Sequence, residues 1–136
     1  DESGPGLILT GRCEAFLVDH PDPLQTSLAR LAAYAEAGAD CLYAPGASTP
    51  EEISAIVGAV APKPVNILVS GFNSQLSLAQ LADLGVRRIS VGSGLALAAW
   101  GALLRAAREI ATDGTFQMLA GGARSAELNG LFDRPA

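Results

Sequence analysis

Short apolar runs alternate with longer amphipathic stretches along this chain of 136 residues. The apolar runs begin near residues 7, 41, 65 and 86, and each is followed by apolar residues at helical spacing. Strands that alternate with helices in this way predict parallel strands joined by right-handed crossovers. We therefore predict an α/β fold with four parallel βα units, at about residues 7–38, 40–61, 65–85 and 86–112, and a helical tail at 115–132.

Local signals indicate where several of these elements begin. We predict strands at Leu7–Thr10, Cys41–Ala44, Val65–Val69 and Val86–Val91. Ser48 or Thr49 caps the second helix and Ser77 caps the third, because a hydroxyl at such a position accepts a hydrogen bond from a free backbone N–H group. A long helix is expected at about Leu95–Ala111 and a last small helix around Ser125–Phe132.

Two architectures fit four such units. One is a small four-stranded open sheet, and the other is half of an eight-stranded β/α barrel. A whole barrel needs roughly 250 residues, so in the second architecture residues 1–136 form one domain that is half of a larger barrel. Only six loop-like residues precede Leu7, and this start favours a fragment.

Composition and charge exclude several classes of protein. Hydrophobic residues make up 49% of the chain and charged residues 17%, which is typical of a folded core. The net charge is −5 and there is no basic stripe, so we expect no binding to nucleic acid. No apolar run approaches the ~18 residues of a membrane span. The first six residues show no signal-peptide pattern, and two cysteines are too few for a disulfide framework, so we expect a cytoplasmic protein.

An arginine directly after the first predicted strand is the most informative polar residue. Function in parallel α/β folds lies at the carboxyl ends of the strands, where Arg12 and Glu14 stand. The planar guanidinium suits a carboxylate or a phosphate, and Glu14 is placed to orient it. The alternative is a structural ion pair of Arg12 with Glu14 or with Asp40.

Polar residues also accompany the third predicted strand. Asn66 interrupts its apolar run, and Ser70 and Asn73 flank Gly71 directly after it. A buried amide requires hydrogen-bond partners, so Asn66 either contacts a ligand or is satisfied by neighbouring backbone. Ser70 and Asn73 either offer hydrogen bonds to a carboxylate or belong to a plain turn.

Five segments, in order, resemble the isocitrate lyase/phosphoenolpyruvate mutase superfamily. They are Gly11–Phe16, Tyr34–Asp40, Thr49–Ile53, Leu81–Ile89 and Ala126–Phe132. The first resembles the family's A-R-x-[DE]-A-hydrophobic strand end, the second its A-Y-x-x-A-G-A-D segment, and the fourth its L-x-x-L-G-V-x-R segment. The resemblance covers about residues 7–132.

The resemblance implies that the chain is the second half of a β/α barrel, with strands five to eight, whose final helix packs on a neighbouring subunit. It implies a Mg²⁺-dependent lyase or mutase that makes or breaks C–C or C–P bonds of small 2-oxo or enol acids through an enolate. The family's metal carboxylates belong to the first half of the barrel, so the Mg²⁺ ligands are expected outside this chain. The parent protein is therefore expected to be an enzyme, and this chain alone to be inactive.

The resemblance also assigns substrate contacts residue by residue. Arg12 matches the arginine that grips the substrate's carboxylate or phosphonate, and Glu14 matches the acid beside it. Asn66 matches a polar residue of strand seven that faces the ligand. The segment Ser70–Asn73 resembles the loop that holds the carboxylate in isocitrate lyases. No residue of this chain is assigned a catalytic or metal-binding role.

Two positions depart from well-known members of the family. Pro45 stands where methylisocitrate lyases carry glutamate and phosphoenolpyruvate mutases carry histidine. Leu97 stands where methylisocitrate lyases carry a substrate arginine. These departures argue against those two activities, and the best match is a mutase-like member similar to carboxyphosphonoenolpyruvate phosphonomutases.

Two non-enzymatic functions stay open beside this one. The chain is then either an α/β module that binds an anion through Arg12, or a structural fragment that is stable only when it pairs with another copy. Half a barrel leaves two strand edges unpaired, and such edges are templates for association. We therefore expect a homo-oligomer formed through the strand edges and the C-terminal helix.

Overall fold

The computed structural model describes residues 6–71, 73 and 75–132. Four short strands alternate with four helices, and a 3₁₀ helix and a fifth α-helix follow. In chain order the elements are β1 (Thr10–Arg12), α1 (Pro23–Glu36), β2 (Cys41–Tyr43), α2 (Pro50–Val60), β3 (Val65–Leu68), α3 (Leu78–Asp83), β4 (Arg88–Ser90), α4 (Gly94–Asp113), the 3₁₀ helix (Gln117–Gly121) and α5 (Ser125–Phe132).

The chain divides into two compact units, Asp1–Gly94 and Leu95–Ala136. All four strands and the helices between them belong to the first unit. The second unit holds most of α4, the 3₁₀ helix and α5. The organisation of residues 1–136 as one domain stays a prediction.

The four strands form one parallel sheet in the order β1-β2-β3-β4, so the predicted fold class is confirmed. Crossovers between parallel strands are right-handed, and a strand order that never reverses therefore places every crossover helix on the same face. In a doubly wound open sheet the order reverses at a switch point and helices cover both faces. The observed order is that of a barrel segment, and it differs from the reversing order of a doubly wound sheet.

The core of the first unit lies between this sheet and its helices. Side chains alternate between the two faces of a strand, and Leu42, Val65 and Ile67 point to the helical face. The residues that the helices contribute to the same buried cluster are Leu31 of α1, Ile53, Ile56 and Val60 of α2, and Leu81 of α3. One face of the sheet is thus the core, and the opposite face is available for other chemistry.

Side-chain caps define where α2 and α3 begin. Thr49 accepts a hydrogen bond from the Glu52 backbone N–H at 3.2 Å, and the Glu52 carboxylate accepts one from the Thr49 N–H at 3.0 Å. Ser77 forms the same reciprocal pair with Gln80. The structure thus selects Thr49, and not Ser48, as the cap of α2 and confirms Ser77 as the cap of α3.

Two predicted strands have the wrong boundaries. The first was expected at Leu7–Thr10, but β1 is Thr10–Arg12, and Leu7–Leu9 are exposed. The reason is the pairing with β2, whose register joins Thr10 to Cys41 and Arg12 to Tyr43. The fourth strand was expected at Val86–Val91 but pairs only at Arg88–Ser90. Apolarity located both strands to within three residues, and the partner strand set their limits.

The second unit is held by hydrogen bonds more than by a core. The Glu109 carboxylate of α4 accepts hydrogen bonds from the backbone N–H groups of Gln117 and Met118, each at 2.8 Å, and from the Thr115 hydroxyl. These bonds satisfy free N–H groups at the start of the 3₁₀ helix. The last helix lies at Ser125–Phe132, as predicted.

Among the described residues, no helix is both long enough and apolar enough to cross a membrane.

Candidate functional site

A row of polar and aromatic residues crosses the sheet on the face opposite the core. The register pairs Arg12 with Tyr43, Tyr43 with Asn66, and Asn66 with Arg88. Residues paired in this way point to the same side of a sheet, and their chain neighbours Gly11, Leu42, Val65 and Ile67 point to the other side. The four strands therefore bring together, on one face, residues that are distant in the sequence.

Arg12 lies at the carboxyl end of β1 with its guanidinium partly open to solvent. Its Nε donates a hydrogen bond to Oε1 of Glu14, and the side chains of both residues are 47% exposed. The guanidinium carbon lies 5.0 Å from the centre of the Tyr43 ring. The hydrogen bond to Glu14 raises the pKa of the Arg12 guanidinium above its ordinary value, so the group stays a cation.

The open question about the partner of Arg12 is answered by this geometry. Arg12 pairs with Glu14, whereas Asp40 accepts a hydrogen bond from the backbone N–H of Leu9 at 2.8 Å. An ion pair that is half-exposed on both sides contributes little to stability. The pair orients the guanidinium but does not consume it, because both Nη atoms have no hydrogen-bond partner within residues 6–71, 73 and 75–132.

Asn66 is buried in β3, and its amide joins two strands. Its Nδ2 donates a hydrogen bond to the hydroxyl of Ser90 in β4 at 3.0 Å. Its Oδ1 is buried and has no partner in the described part of the chain. A neighbouring side chain, and not the backbone, thus satisfies half of the amide, and the other half is free to receive a donor.

The loop after β3 is organised by Asn73. Its Oδ1 accepts a hydrogen bond from the Ser70 backbone N–H at 2.9 Å, and its Nδ2 donates to the carbonyl oxygens of Leu68 at 3.0 Å and Ala47 at 3.5 Å. Asn73 is fully buried, so these bonds fix the loop against the chain after β2. The Ser70 hydroxyl is buried and lacks a partner among the described residues. Phe72, which belongs to the same predicted motif, lies outside the described residues.

The structure unites some of the predicted site residues and separates others. Arg12 contacts Glu14, and Ser70 contacts Asn73, but Asn66 bonds to Ser90. No hydrogen bond within the described ranges joins the Arg12 group to either of the other two. Tyr43 is the residue that sequence reasoning missed. It lies in a short apolar run, where only the pairing register shows that it faces Arg12 and not the core.

The described residues do not supply a complete ligand set for Mg²⁺. They bring together no group of three or more His, Cys, Asp or Glu side chains that could hold a metal ion. The one carboxylate of the site, Glu14, is engaged by Arg12. The expectation that the metal ligands lie outside this chain stays a prediction.

Comparison with known proteins gives a consistent match. A family model described as phosphoenolpyruvate phosphomutase matches residues 1–111. An uncharacterized protein of Mycobacterium tuberculosis strain H37Rv is 35% identical over 94 residues, which are 68% of this chain and 34% of that protein. This chain therefore spans about a third of the length of that relative.

Solved structures show the same fold over most of the chain. A protein of Burkholderia cenocepacia J2315 described as a lyase/mutase has a TM-score of 0.88 and 46% identity, over 98% of this chain and 48% of that one. A protein of the same organism described as a phosphonomutase has a TM-score of 0.58 and 37% identity, over 72% of this chain and 40% of that one. The fold alone is shared with 2,3-dimethylmalate lyase, a member of the PEP mutase/isocitrate lyase superfamily, at a TM-score of 0.66 and 21% identity, over 92% of this chain and 42% of that one.

Proposed function

This chain belongs to the phosphoenolpyruvate phosphomutase family, and from that premise we propose that it is the C-terminal part of a lyase or mutase of small 2-oxo or enol acids. The whole protein would make or break C–C or C–P bonds through an enolate. This chain would supply the groups that grip the acid end of the substrate. The family match and the likeness to a lyase/mutase and a phosphonomutase support the reaction class.

The exposed guanidinium of Arg12 is the observation that carries the proposal. It lies at the carboxyl end of a parallel strand, which is where α/β folds place their sites. Glu14 holds Nε, so the Nη pair is left to donate two parallel hydrogen bonds to a carboxylate or a phosphonate. A guanidinium with two free Nη atoms binds a small organic acid more readily than a guanidinium whose nitrogen atoms all donate to carboxylates of the protein.

The other site residues support the grip of Arg12 in this proposal. Glu14 orients the guanidinium, and Asn73 holds the loop that carries Ser70. The hydroxyl of Ser70 and the free oxygen of Asn66 are buried, so they reach a ligand only if the side chains above them move aside. We assign the ligands of the metal that the resemblance implies to residues outside this chain, and we propose that this chain alone binds the acid without catalysing a reaction.

The proposed setting is the cytoplasm. Cys13 and Cys41 are both buried and form no disulfide. Free cysteines of this kind are the rule in reducing compartments.

A binding titration tests the proposal. The ¹⁵N-labelled chain is titrated with pyruvate and with phosphonoacetate, and the dissociation constants are read from amide shifts. Arg12→Lys keeps the charge but loses the planar fork, so binding should weaken roughly tenfold or more, as expected for a charge-assisted pair of about 1.5–3 kcal/mol.

Arg30→Lys is the matched control, because Arg30 lies on the exposed side of α1. It should leave both dissociation constants unchanged. The proposal is wrong if the wild-type chain binds neither acid, or if Arg12→Lys binds as tightly as wild type.

A further inference from the structure

The Tyr43 ring is placed under the cation of the candidate site and not in the core. The register joins Tyr43 to Arg12, and the guanidinium carbon lies 5.0 Å from the ring centre. The buried cluster formed by the described residues of the first unit does not include Tyr43, although this side chain is only 9% exposed. The ring therefore lies on the face that carries the site, beside the Arg12 guanidinium.

We propose that Tyr43 is a positioning residue, which holds the Arg12 guanidinium so that only its Nη edge meets the acid group of a ligand. This inference rests on the proposed function, since it concerns the same anion site. It adds a residue with no hydrogen bond to the ligand that acts through Arg12. It also limits how the ligand approaches.

The limit on approach follows from which parts of the guanidinium are already used. A guanidinium offers a carboxylate two edges, one formed by the two Nη atoms and one formed by Nε with an Nη atom. Glu14 occupies Nε, so the second edge is closed. The guanidinium carbon lies over the Tyr43 ring, so the ring limits approach from that side. The Nη edge stays open, and a single carboxylate or phosphonate fits it end-on.

The backbone keeps the cation and the ring together. Arg12 and Tyr43 are the last residues of their strands and are direct partners in the sheet. The N–H of Cys13, the next residue after Arg12, donates to the Tyr43 carbonyl oxygen at 2.9 Å. An aromatic face attracts a guanidinium through its quadrupole, and a rigid ring fixes the plane of the cation better than an aliphatic side chain. Both properties are needed for positioning, and leucine at this place would lack them.

The test is an NMR comparison of four forms of the 136-residue chain, labelled with ¹⁵N-arginine. They are wild type, Tyr43→Phe, Tyr43→Leu and Tyr34→Leu. Tyr34 is the other tyrosine of the chain, and it packs against the core from α1. The Nε–H signal of Arg12 reports the ring, because a proton over an aromatic face is shifted upfield, and pyruvate is the binding probe.

In wild type, the hydrogen bond to Glu14 should slow exchange of the Arg12 Nε–H with water, and the Tyr43 ring should place this signal upfield of its position in Tyr43→Leu, where the same hydrogen bond is kept. Tyr43→Phe should keep this signature and the wild-type dissociation constant for pyruvate. Tyr43→Leu should abolish the upfield shift and weaken binding about two- to fivefold, in line with a partly exposed cation–π contact. Tyr34→Leu should change neither.

The possible failures are distinguishable. If the Arg12 signal lies at the same position in wild type and in Tyr43→Leu, the inference is overturned. It is also overturned if Tyr43→Leu binds pyruvate as wild type does, while the proposed anion site stands. If wild type does not bind pyruvate at all, the proposed function fails, and the Arg12 signal in the three variants still decides whether Tyr43 positions the cation.

Discussion

Asp1–Gly94 and Leu95–Ala136 differ most in how much apolar surface they bury. The first unit has a continuous core built from its strands and three helices. In the second unit Ala106 is the one described hydrophobic residue that is buried. Its large exposed side chains include Trp100, Leu103, Phe116, Leu131 and Phe132.

The two units therefore differ in whether their apolar helix surfaces are buried against a sheet or exposed. The first unit builds a buried core, because its amphipathic helices cover the apolar face of a sheet, although Leu7–Leu9 and Leu78 are exposed. Among the described residues, the helices of the second unit have apolar surfaces that are exposed, and patches of this kind mark interaction surfaces. The stability of the first unit should therefore reside in its core, and that of the second in hydrogen bonds such as those to Glu109.

The largest expected effect is on the free energy of unfolding, when the same leucine-to-alanine substitution is made once in each unit. Leu31 is 0% exposed in the first unit and Leu103 is 54% exposed in the second. Leu31→Ala removes a buried side chain and leaves a cavity, so it should lower the free energy of unfolding by about 2–5 kcal/mol. Leu103→Ala should lower it by less than about 1 kcal/mol. Urea denaturation followed by circular dichroism measures both, and similar losses would abolish the contrast between the units.

The second prediction concerns association of the chain. Leu128, Leu131 and Phe132 are exposed on α5 at helical spacing, so they form one apolar stripe. We expect a dimer at micromolar concentration, measured by sedimentation velocity. Leu128→Glu combined with Leu131→Glu should shift the chain to monomer, and Asn129→Glu on the same helix should not. A wild-type chain that is monomeric at this concentration would contradict the expectation.

The third and smaller effect is the pH dependence of the second unit. Hydrogen bonds from the Thr115 hydroxyl and from the Met118 and Gln117 amides hold the pKa of Glu109 below its ordinary value of 4.5. A carboxylate with a lowered pKa stabilises the fold fully above its unfolded pKa, and this contribution disappears as the pH falls through the lower, folded value. The order of the 3₁₀ helix should thus persist at pH 6 and weaken below about pH 4.

The protection factors of the Gln117 and Met118 amides, which are the hydrogen-exchange rates of an unfolded chain divided by the measured rates at the same pH, measure this effect between pH 3 and 6. Glu109→Gln should remove the pH dependence of these protection factors and lower them at pH 6. Glu127→Gln on α5 should leave the protection factors unchanged at every pH. Exchange that does not respond to Glu109→Gln would show that other contacts order this segment.

The sequence predicted the fold wherever the signals are local. Ser77 was predicted as a cap and Thr49 as one of two candidates, both from neighbouring residues, and the limits of α5 matched. The limits of β1 depend on its register with β2, which is a tertiary property. For the same reason the run Leu7–Leu9, although apolar, lies before the first paired residue and is exposed.

The same distinction between local sequence signals and strand register applies to the residues of the candidate site. Arg12 and Glu14 were identified because they follow a strand and lie two residues apart, and the structure pairs them. The link between Asn66 and Ser90 could not be predicted, because it joins two strands through their register. Tyr43 was missed because a tyrosine within an apolar run has no local mark of the face to which it points.

The thermal melt of Arg12→Ala tests the central claim most directly, since the claim makes Arg12 a ligand anchor and not a structural support. The Arg12–Glu14 pair is half-exposed, and such pairs contribute about 0–1 kcal/mol. The melting temperature should therefore fall by no more than about 4 °C, while binding of pyruvate is lost in the same sample. A fall of more than about 10 °C would mean that Arg12 holds the fold together, as a buried ion pair worth several kcal/mol would.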